Sequence, residues 1–471
     1  MKIKIRNDKW MDRLAGQCIG WKILRDMALL MALLMVLVTG LSSGGNLLAR
    51  CPQLLAPVAA AMLMLVLCRH VQCGESVGLR SCALLILMML TMQLRRMGAD
   101  ENPMGLGLKI MICTAGGIAL GVGLTALVKC LTSKCWIFMA GVSVLLMLMV
   151  AVADFGGMVS IFGIRINAGM LAVFAALMVQ GLIYGSDCSD GVRVRESLLA
   201  FVGFALILSM LSAAAEVVVL WLTVMVMALI CLRDWRWLVR SLVVQAAVAF
   251  GLLAVTVICW GVAQNGAEEI PALMQIAARI GGRFVNLASV YLDPGSMYIH
   301  GVGYQMYMIG QCLSQVEMVG CAARFVEVTM ADTSGVFSTF AATYGILPAV
   351  LVLVMLLGIF SRSAEIARKA ADRREGAVAL AFGSFLMLSG LLTATGNVGL
   401  TPLLGFTFPI LADSGTGLLL SVAMMCYLLR VRQVEAAPAE ELRMRHRGSV
   451  VWGVAMAAVL LVLMRLTMYI R

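Results

Sequence analysis

Charge and histidine are scarce in this chain. Only 13% of its 471 residues are Asp, Glu, Lys or Arg, and only three are histidine. A soluble protein carries about twice that charged fraction. With 62% hydrophobic residues and a mean hydropathy of +0.98, the composition is that of a polytopic membrane protein. Length alone would suggest about three soluble domains, but that prior does not hold for a bundle threading a bilayer. So few histidines argue against a His-based metal centre. No CxxC pair occurs among the fourteen cysteines. Cys113, Cys231, Cys259 and Cys426 fall in apolar runs, so most cysteines read as small buried hydrophobes. Cys312 and Cys321 share one polar loop, and whether they pair stays open. No small-residue cleavage site follows the first apolar run, so MKIKIRNDKWMDR reads as a cytoplasmic start. No internal repeat is visible. The net charge of +11 is not a nucleic-acid signal, because the basic residues sit mostly in short loops where they set topology. The 36 methionines read as flexible core filler rather than copper ligands.

What the chain does have is apolar runs near the length that crosses a bilayer. They give about thirteen expected spans: 27–45, 54–69, 77–94, 105–128, 135–153, 166–185, 197–213, 215–232, 238–263, 335–360, 376–395, 407–430 and 449–468. The seventh and eighth come from one continuous run, divided near Ser212–Ala215. Basic residues orient the set. Lys2 to Arg13, then Lys129 and Lys134, Arg193 and Arg195, Arg233 to Arg240, Arg362 to Arg374, and Arg430 to Arg447 all share one side if the N-terminus is cytoplasmic. Arg95 and Arg96 fall on the other side. The segment 264–334, Arg165, Glu216 and the stretch 399–409 then face outward, which converges four polar features on one leaflet.

The stretch Gly399 to Leu418, GLTPLLGFTFPILADSGTGL, is the most informative. Glycines and two prolines interrupt a segment otherwise apolar enough to sit in a bilayer. Irregular backbone at membrane depth needs packed protein or a water-filled cavity around it. Asp413 lies within it, and an ionisable residue in a span is a functional-site hypothesis. The outer loop adds an amphipathic stretch, 270–292, with Arg279 and Arg283 one turn apart. Such a helix can lie along the interface, and its guanidinium groups suit a phosphate-bearing lipid. Snorkelling to the interface is the competing reading for both arginines. Asp293-Pro294-Gly295 reads as a turn, and 301–322 as a second, half-apolar helix. Asp332 stands just before the tenth span, near the bilayer.

These pieces, in this order, resemble the SEDS family of cell-wall polymerases (FtsW, RodA and SpoVE). Leu292-Asp293-Pro294 and Gly303-Tyr304-Gln305 resemble the first part of the family's outer loop, and Thr333, Phe337 and Gly345 its second. Gly399, Leu400, Pro402, Gly405, Pro409, Leu411, Gly415 and Leu418 keep the spacing of the family's last motif. GGMVSIFGIRINAGMLA (156–172) looks like a degraded form of another. The resemblance implies an all-α, polytopic helix bundle with a ten-helix core and about three extra spans. It implies lipid II as substrate, polymerised into glycan strands at the outer membrane face, in division, elongation or sporulation. It also implies a class B penicillin-binding protein as transpeptidase partner, and no nucleic acid. Such chemistry needs a carboxylate to take a hydroxyl proton and cations to offset a leaving diphosphate.

The departures define the expected site. Ser334 stands where the family has its loop aspartate, and Asp332 lies two positions earlier. Asp413-Ser414-Gly415-Thr416 replaces the family's YGGS, and Asn167-Ala168-Gly169-Met170 its QPSE. Ser212, with Glu216 nearby, stands for the PDLG aspartate. A serine with no evident base partner is a poor proton acceptor. The expected catalytic residues are therefore Asp332 and Ser334. Arg279, Arg283, Gln305, Asp413, Glu216 and Arg165 are expected to bind substrate. Gly399, Pro402, Gly405, Pro409 and Gly415 are expected to shape the loop. No cofactor is specified, no metal ligand is named, and a divalent cation remains open. The expected division is a basic cytoplasmic N-terminus (1–26), N-terminal spans (27–94), core (95–263), outer loop (264–334), core again (335–430), cytoplasmic linker (431–448) and an extra C-terminal span (449–471). Two other readings compete: a catalytically silent scaffold for the transpeptidase, and a transporter of a lipid-linked substrate.

Overall fold

The computed structural model describes residues 103–130, 158–161, 164–211, 213–232, 234–265, 272–292, 303–318, 328, 330–331, 333–412 and 414–431. The expected spans 27–45, 54–69, 77–94, 135–153 and 449–468 lie outside them, as does almost all of the linker. Among the described residues the chain runs α1 (Pro103–Cys130), β1 (Met158–Ile161), β2 (Ile164–Asn167), α2 (Ala168–Tyr184), α3 (Asp190–Met210), α4 (Ala214–Cys231) and α5 (Trp235–Gln264). It continues through α6 (Ala272–Leu292), α7 (Tyr304–Ser314), α8 (Val336–Tyr344), α9 (Ile346–Lys369), α10 (Arg373–Val398) and α11 (Gly415–Arg430). The helical architecture expected from sequence stands. One small addition is an antiparallel hairpin in which β1 pairs with β2 and Ser160 faces Arg165.

The helices begin and end where local chemistry allows. Asn167 caps α2 by accepting from the Met170 amide at 3.1 Å. Asp372 caps α10 through the Arg374 amide at 2.9 Å, and Ser414 caps α11 through the Gly417 amide at 3.2 Å. Each side-chain oxygen takes a backbone donor that the first helical turn leaves unpaired. At the other end of α10, Gly399 adopts the left-handed conformation with φ 80°, and the Leu400 amide returns to the Thr395 carbonyl.

Among the described residues three helices, α5, α9 and α10, are long and apolar enough to cross a membrane. α10 is the central one, buried along most of its length and packed against α9, α2, α4 and α11. Phe382 on α10 stacks on Phe174 of α2 at 5.3 Å and meets Tyr427 of α11 edge-on at 5.4 Å. α5 is the opposite case. Only Leu238, Ser241 and Gln245 are buried on it, while Phe250, Val255 and Ile258 are exposed. In a bilayer those side chains meet lipid instead of water, so their exposure carries no penalty.

Two expected spans are corrected. The run 335–360 is not one helix: it breaks at Gly345, whose φ of 99° and ψ of 170° no helix accommodates. The start of α9 is satisfied from outside, since the Ile346 and Leu347 amides donate to the Glu317 and Met318 carbonyls at 3.0 Å each. The run 407–430 becomes helical only at Gly415. Division of the seventh and eighth spans near Ser212–Ala215 agrees with the break between α3 and α4.

The polar loops sort to the two ends of the bundle. At one end Arg193 meets Asp190 at 3.0 Å, the Asp234 amide donates to Asp190 at 3.2 Å, and Arg373 approaches Asp187 at 3.7 Å. The loops after α2, α4 and α9, which the basic-residue pattern places on one side, therefore meet. The segment 399–414 and the hairpin occupy the other end.

Candidate functional site

Ser334 sits in a tight turn that leads into α8. The Ala331 amide donates to the Val328 carbonyl, and the Thr333 and Gly335 amides both return to Met330. Met330 has φ 56°, an uncommon conformation for a residue with a side chain. Ser334 is only 4% exposed. Its hydroxyl accepts a 2.6 Å hydrogen bond from Gln305 Nε2 on α7 and points its own proton at the Met330 thioether, 4.0 Å away. Gln305 and Ser334, both expected at the site from sequence, are thus brought into direct contact. Among the described residues no carboxylate or histidine meets the Ser334 hydroxyl.

Asn397, in the last turn of α10, holds this turn from beneath. Its Nδ2 donates to the Ser334 carbonyl at 2.7 Å and to the Thr393 carbonyl at 2.8 Å. Its Oδ1 accepts from the Ser338 amide at 3.1 Å, in the first turn of α8. All three bonds are buried, so the amide is satisfied at both ends and fixes Ser334 relative to the central helix. Sequence reading did not single out Asn397. The available signal was a lone amide in an otherwise apolar span, two residues before the helix-ending Gly399. Cys312 on α7 is a free thiol packed below, donating to the Ser338 carbonyl at 3.8 Å.

The irregular segment wedges between this turn and a second polar cluster. Phe408 stacks on Phe337 of α8 at 6.0 Å, and Thr393 donates to the Phe406 carbonyl at 3.5 Å. One residue on, the Thr407 hydroxyl points to the Met170 sulfur at 3.9 Å. Gly405 has φ 79°. Ile410 has φ 66° inside a three-residue turn closed by the Leu411 amide on the Pro409 carbonyl. That turn is the strained form, and a β-branched residue there is an outlier. Such strain collects at functional sites.

The second cluster joins the three stretches that depart from the family's motifs. The Asn167 amide donates to Thr416 Oγ1 at 3.2 Å, tying the hairpin to α11. A side chain added at Gly169 would begin 3.7 Å from Glu216 Oε1, so the Glu216 carboxylate lies against the start of α2. Arg165 is two residues before Asn167 on β2, opposite Ser160. Its side chain, like that of Arg283, lies outside the described residues, and so do Asp332 and Asp413. Pro402 and Gly415 sit at the two ends of the irregular segment, and Pro409 is buried within it.

Arg279 is placed elsewhere. It is exposed on α6, whose Tyr291 hydroxyl reaches the Leu400 carbonyl at 2.9 Å. Twelve residues of helix separate Arg279 from Tyr291, about 18 Å at 1.5 Å per residue. Among the described residues no group of three His, Cys, Asp or Glu side chains comes together as a metal site.

Residues 170–437, more than half of the chain, match the cell cycle protein family of FtsW, RodA and SpoVE. The chain belongs to this family. With its apolar helices, that makes it a multi-pass membrane protein. A probable peptidoglycan glycosyltransferase FtsW from Hydrogenovibrio crunogenus is 26% identical over 149 residues, 30% of this chain and 38% of that protein. A second, from Burkholderia thailandensis, is 28% identical over 151 residues, 30% of this chain and 32% of that protein. The chain therefore spans about a third of the length of the curated relatives it matches. A chain from a peptidoglycan synthase complex that coordinates polymerization and crosslinking superposes with a TM-score of 0.54 at 15% identity, covering 79% of this chain and 98% of that one. At that identity the likeness is one of fold.

Proposed function

We propose that the protein is a peptidoglycan glycosyltransferase that polymerises lipid II at the outer face of the cytoplasmic membrane. The observation that carries this reading is the meeting of the Ser334–Gln305 turn, Asn397 and the irregular segment at one end of the bundle, in a chain of this family. In the reaction, a sugar hydroxyl oxygen attacks the anomeric carbon of a lipid-linked strand. The bond from that carbon to the diphosphate breaks, and the diphosphate leaves with the electron pair. Asp332 takes the hydroxyl proton as general base. Gln305 and Asn397 hold the Ser334 turn, and Asp413, Glu216 and Arg165 bind substrate in this reading. Arg279 and Arg283 grip substrate diphosphate from α6, where guanidinium geometry suits phosphate. The N-terminus is cytoplasmic, the 264–334 loop is outside, and a class B penicillin-binding protein is the partner.

One observation favours a second reading, a silent scaffold for that partner: the Ser334 hydroxyl meets an amide and a thioether, neither of which is a base. The deciding experiment is polymerisation of labelled lipid II by the purified protein, with and without a co-expressed transpeptidase, alongside Asp332→Ala. Glycan product that disappears in the variant supports the polymerase. No product under any condition, from folded protein that still binds the partner, supports the scaffold.

A further inference from the structure

Methionine ordinarily fills a core, yet Met330 is 64% exposed at the start of the turn that carries Ser334. Its backbone is held in place. Its φ is 56°, and its carbonyl accepts the Thr333 and Gly335 amides at 3.1 and 3.0 Å. Its sulfur is the acceptor for the Ser334 hydroxyl at 4.0 Å. A thioether is a weak acceptor. Ser334 is buried, and its oxygen already accepts from Gln305 at 2.6 Å. The Ser334 proton is thus the poorly satisfied group in an otherwise closed turn, and a buried donor in that state costs free energy.

One oxygen atom on the sulfur would reverse this. Oxidation turns the thioether into a polar sulfoxide. A sulfoxide oxygen turned toward Ser334 stands one bond length closer to the hydroxyl than the sulfur does. That closes the gap to an ordinary O–H···O contact, about 2.5–3.0 Å, with a stronger acceptor. Gln305, Ser334 and the sulfoxide then form a chain in which each hydrogen bond polarises the next. Two other methionines mark the limits. The Thr407 hydroxyl points to the Met170 sulfur at 3.9 Å, but Met170 is only 7% exposed, so an oxidant does not reach it. Met318 is 47% exposed, but among the described residues no hydroxyl meets its sulfur. Met330 combines access with a waiting donor.

We propose that Met330 is an oxidation site for peroxide and that its sulfoxide is captured by the Ser334 hydroxyl, which tightens the turn. A sulfur lone pair attacks one peroxide oxygen. The S–O bond forms and the O–O bond breaks. The departing oxygen takes the proton from the transferred one and leaves as water. The sulfur loses the two electrons that the peroxide gains. Return to the thioether needs a sulfoxide reductase. In the proposed orientation the turn is outside, apart from the cytoplasmic thiol pool. Neither step needs polymerase activity, so the latch is the same in a polymerase and in a scaffold.

The test treats purified full-length protein with hydrogen peroxide to partial oxidation and follows amide exchange by mass spectrometry. The peptide 325–340 contains Met330 and no other methionine. The added oxygen therefore separates oxidised from unoxidised copies within one sample. Met330 and Met318 are expected to oxidise well before Met170. Exchange in the oxidised copies of 325–340 should slow about fivefold, the gain from one net hydrogen bond. Ser334→Ala should abolish the difference between copies, and Ser334→Thr, which keeps the hydroxyl, should retain it. Met330 surviving peroxide as long as Met170 would overturn the site. Oxidised copies that exchange as fast as unoxidised ones in the unsubstituted protein would overturn the capture, as would slowing that persists in Ser334→Ala. The comparison within the unsubstituted protein decides even where Ser334→Ala fails to fold.

Discussion

At the scale of the residue, amide contacts hold the Ser334 turn in place. Asn397 joins α10 to the Ser334 carbonyl and the Ser338 amide. Asn397→Ala would leave those buried groups without partners, at about 1–3 kcal/mol for such a loss. We expect a lower unfolding temperature and a loss of polymerisation larger than that of Gln305→Ala. Thermal melts and lipid II assays on both variants check this, and an Asn397→Ala protein with unchanged melting and rate would refute it. Cys312 gives a second expectation at this scale. Burial pushes its thiol up to about 11. Its thiolate is therefore scarce below that value, on the order of one molecule in a thousand at pH 8, and the thiolate is the reactive form. Alkylation at pH 8 should modify Cys188, which is exposed, and spare Cys312 until the protein unfolds. Mass spectrometry of iodoacetamide-treated protein reads the difference.

At the scale of the element, the sequence carries some features openly and hides others. A helix in lipid needs a long apolar run, and such runs are visible, so α1, α2, α4, α5 and α10 lie close to their expected positions. The break at 399–414 was legible because glycine and proline are its cause. The break at Gly345 was not, because a single glycine in an apolar span is ordinary and its positive φ is not written in composition. The contact of Asn167 with Thr416 crosses 249 positions, and no local pattern encodes that. Helix pairing is partly legible. Gly117 and Gly121 form a small-xxx-small pair on α1. A side chain would begin 2.6 Å from the Leu419 carbonyl oxygen at the first and 2.7 Å from the Ala423 carbonyl oxygen at the second. Backbone sits there, so it cannot swing aside. Gly117→Val or Gly121→Val should cost about 1–3 kcal/mol by overpacking and separate α1 from α11. Gly123 has nothing within 4 Å, so Gly123→Val is the matched control and should cost nothing by overpacking. Equal loss of melting temperature in all three would show that close approach to α11 does not govern α1.

At the scale of the whole molecule, function requires the two ends of the bundle to face different compartments. The end with Arg193 and Arg373 gathers the basic loops, and the opposite end gathers the Ser334 turn, Asn397 and the irregular segment. In the proposed orientation, taken from the positive-inside rule, the first end is cytoplasmic and the proposed chemistry is outside. Two exposed positions report this division. Cys188 lies in the loop between α2 and α3, beside Asp187 and its partner Arg373. Gly310 lies on α7, with open space around it. A membrane-impermeant maleimide applied to intact cells should label Gly310→Cys and leave Cys188 unmodified, and permeabilised cells should give label at both. The reverse pattern would turn the bundle over. It would also place the Ser334 turn on the side where no polymer is built, so this one labelling experiment bears on the polymerase reading before any enzyme is purified.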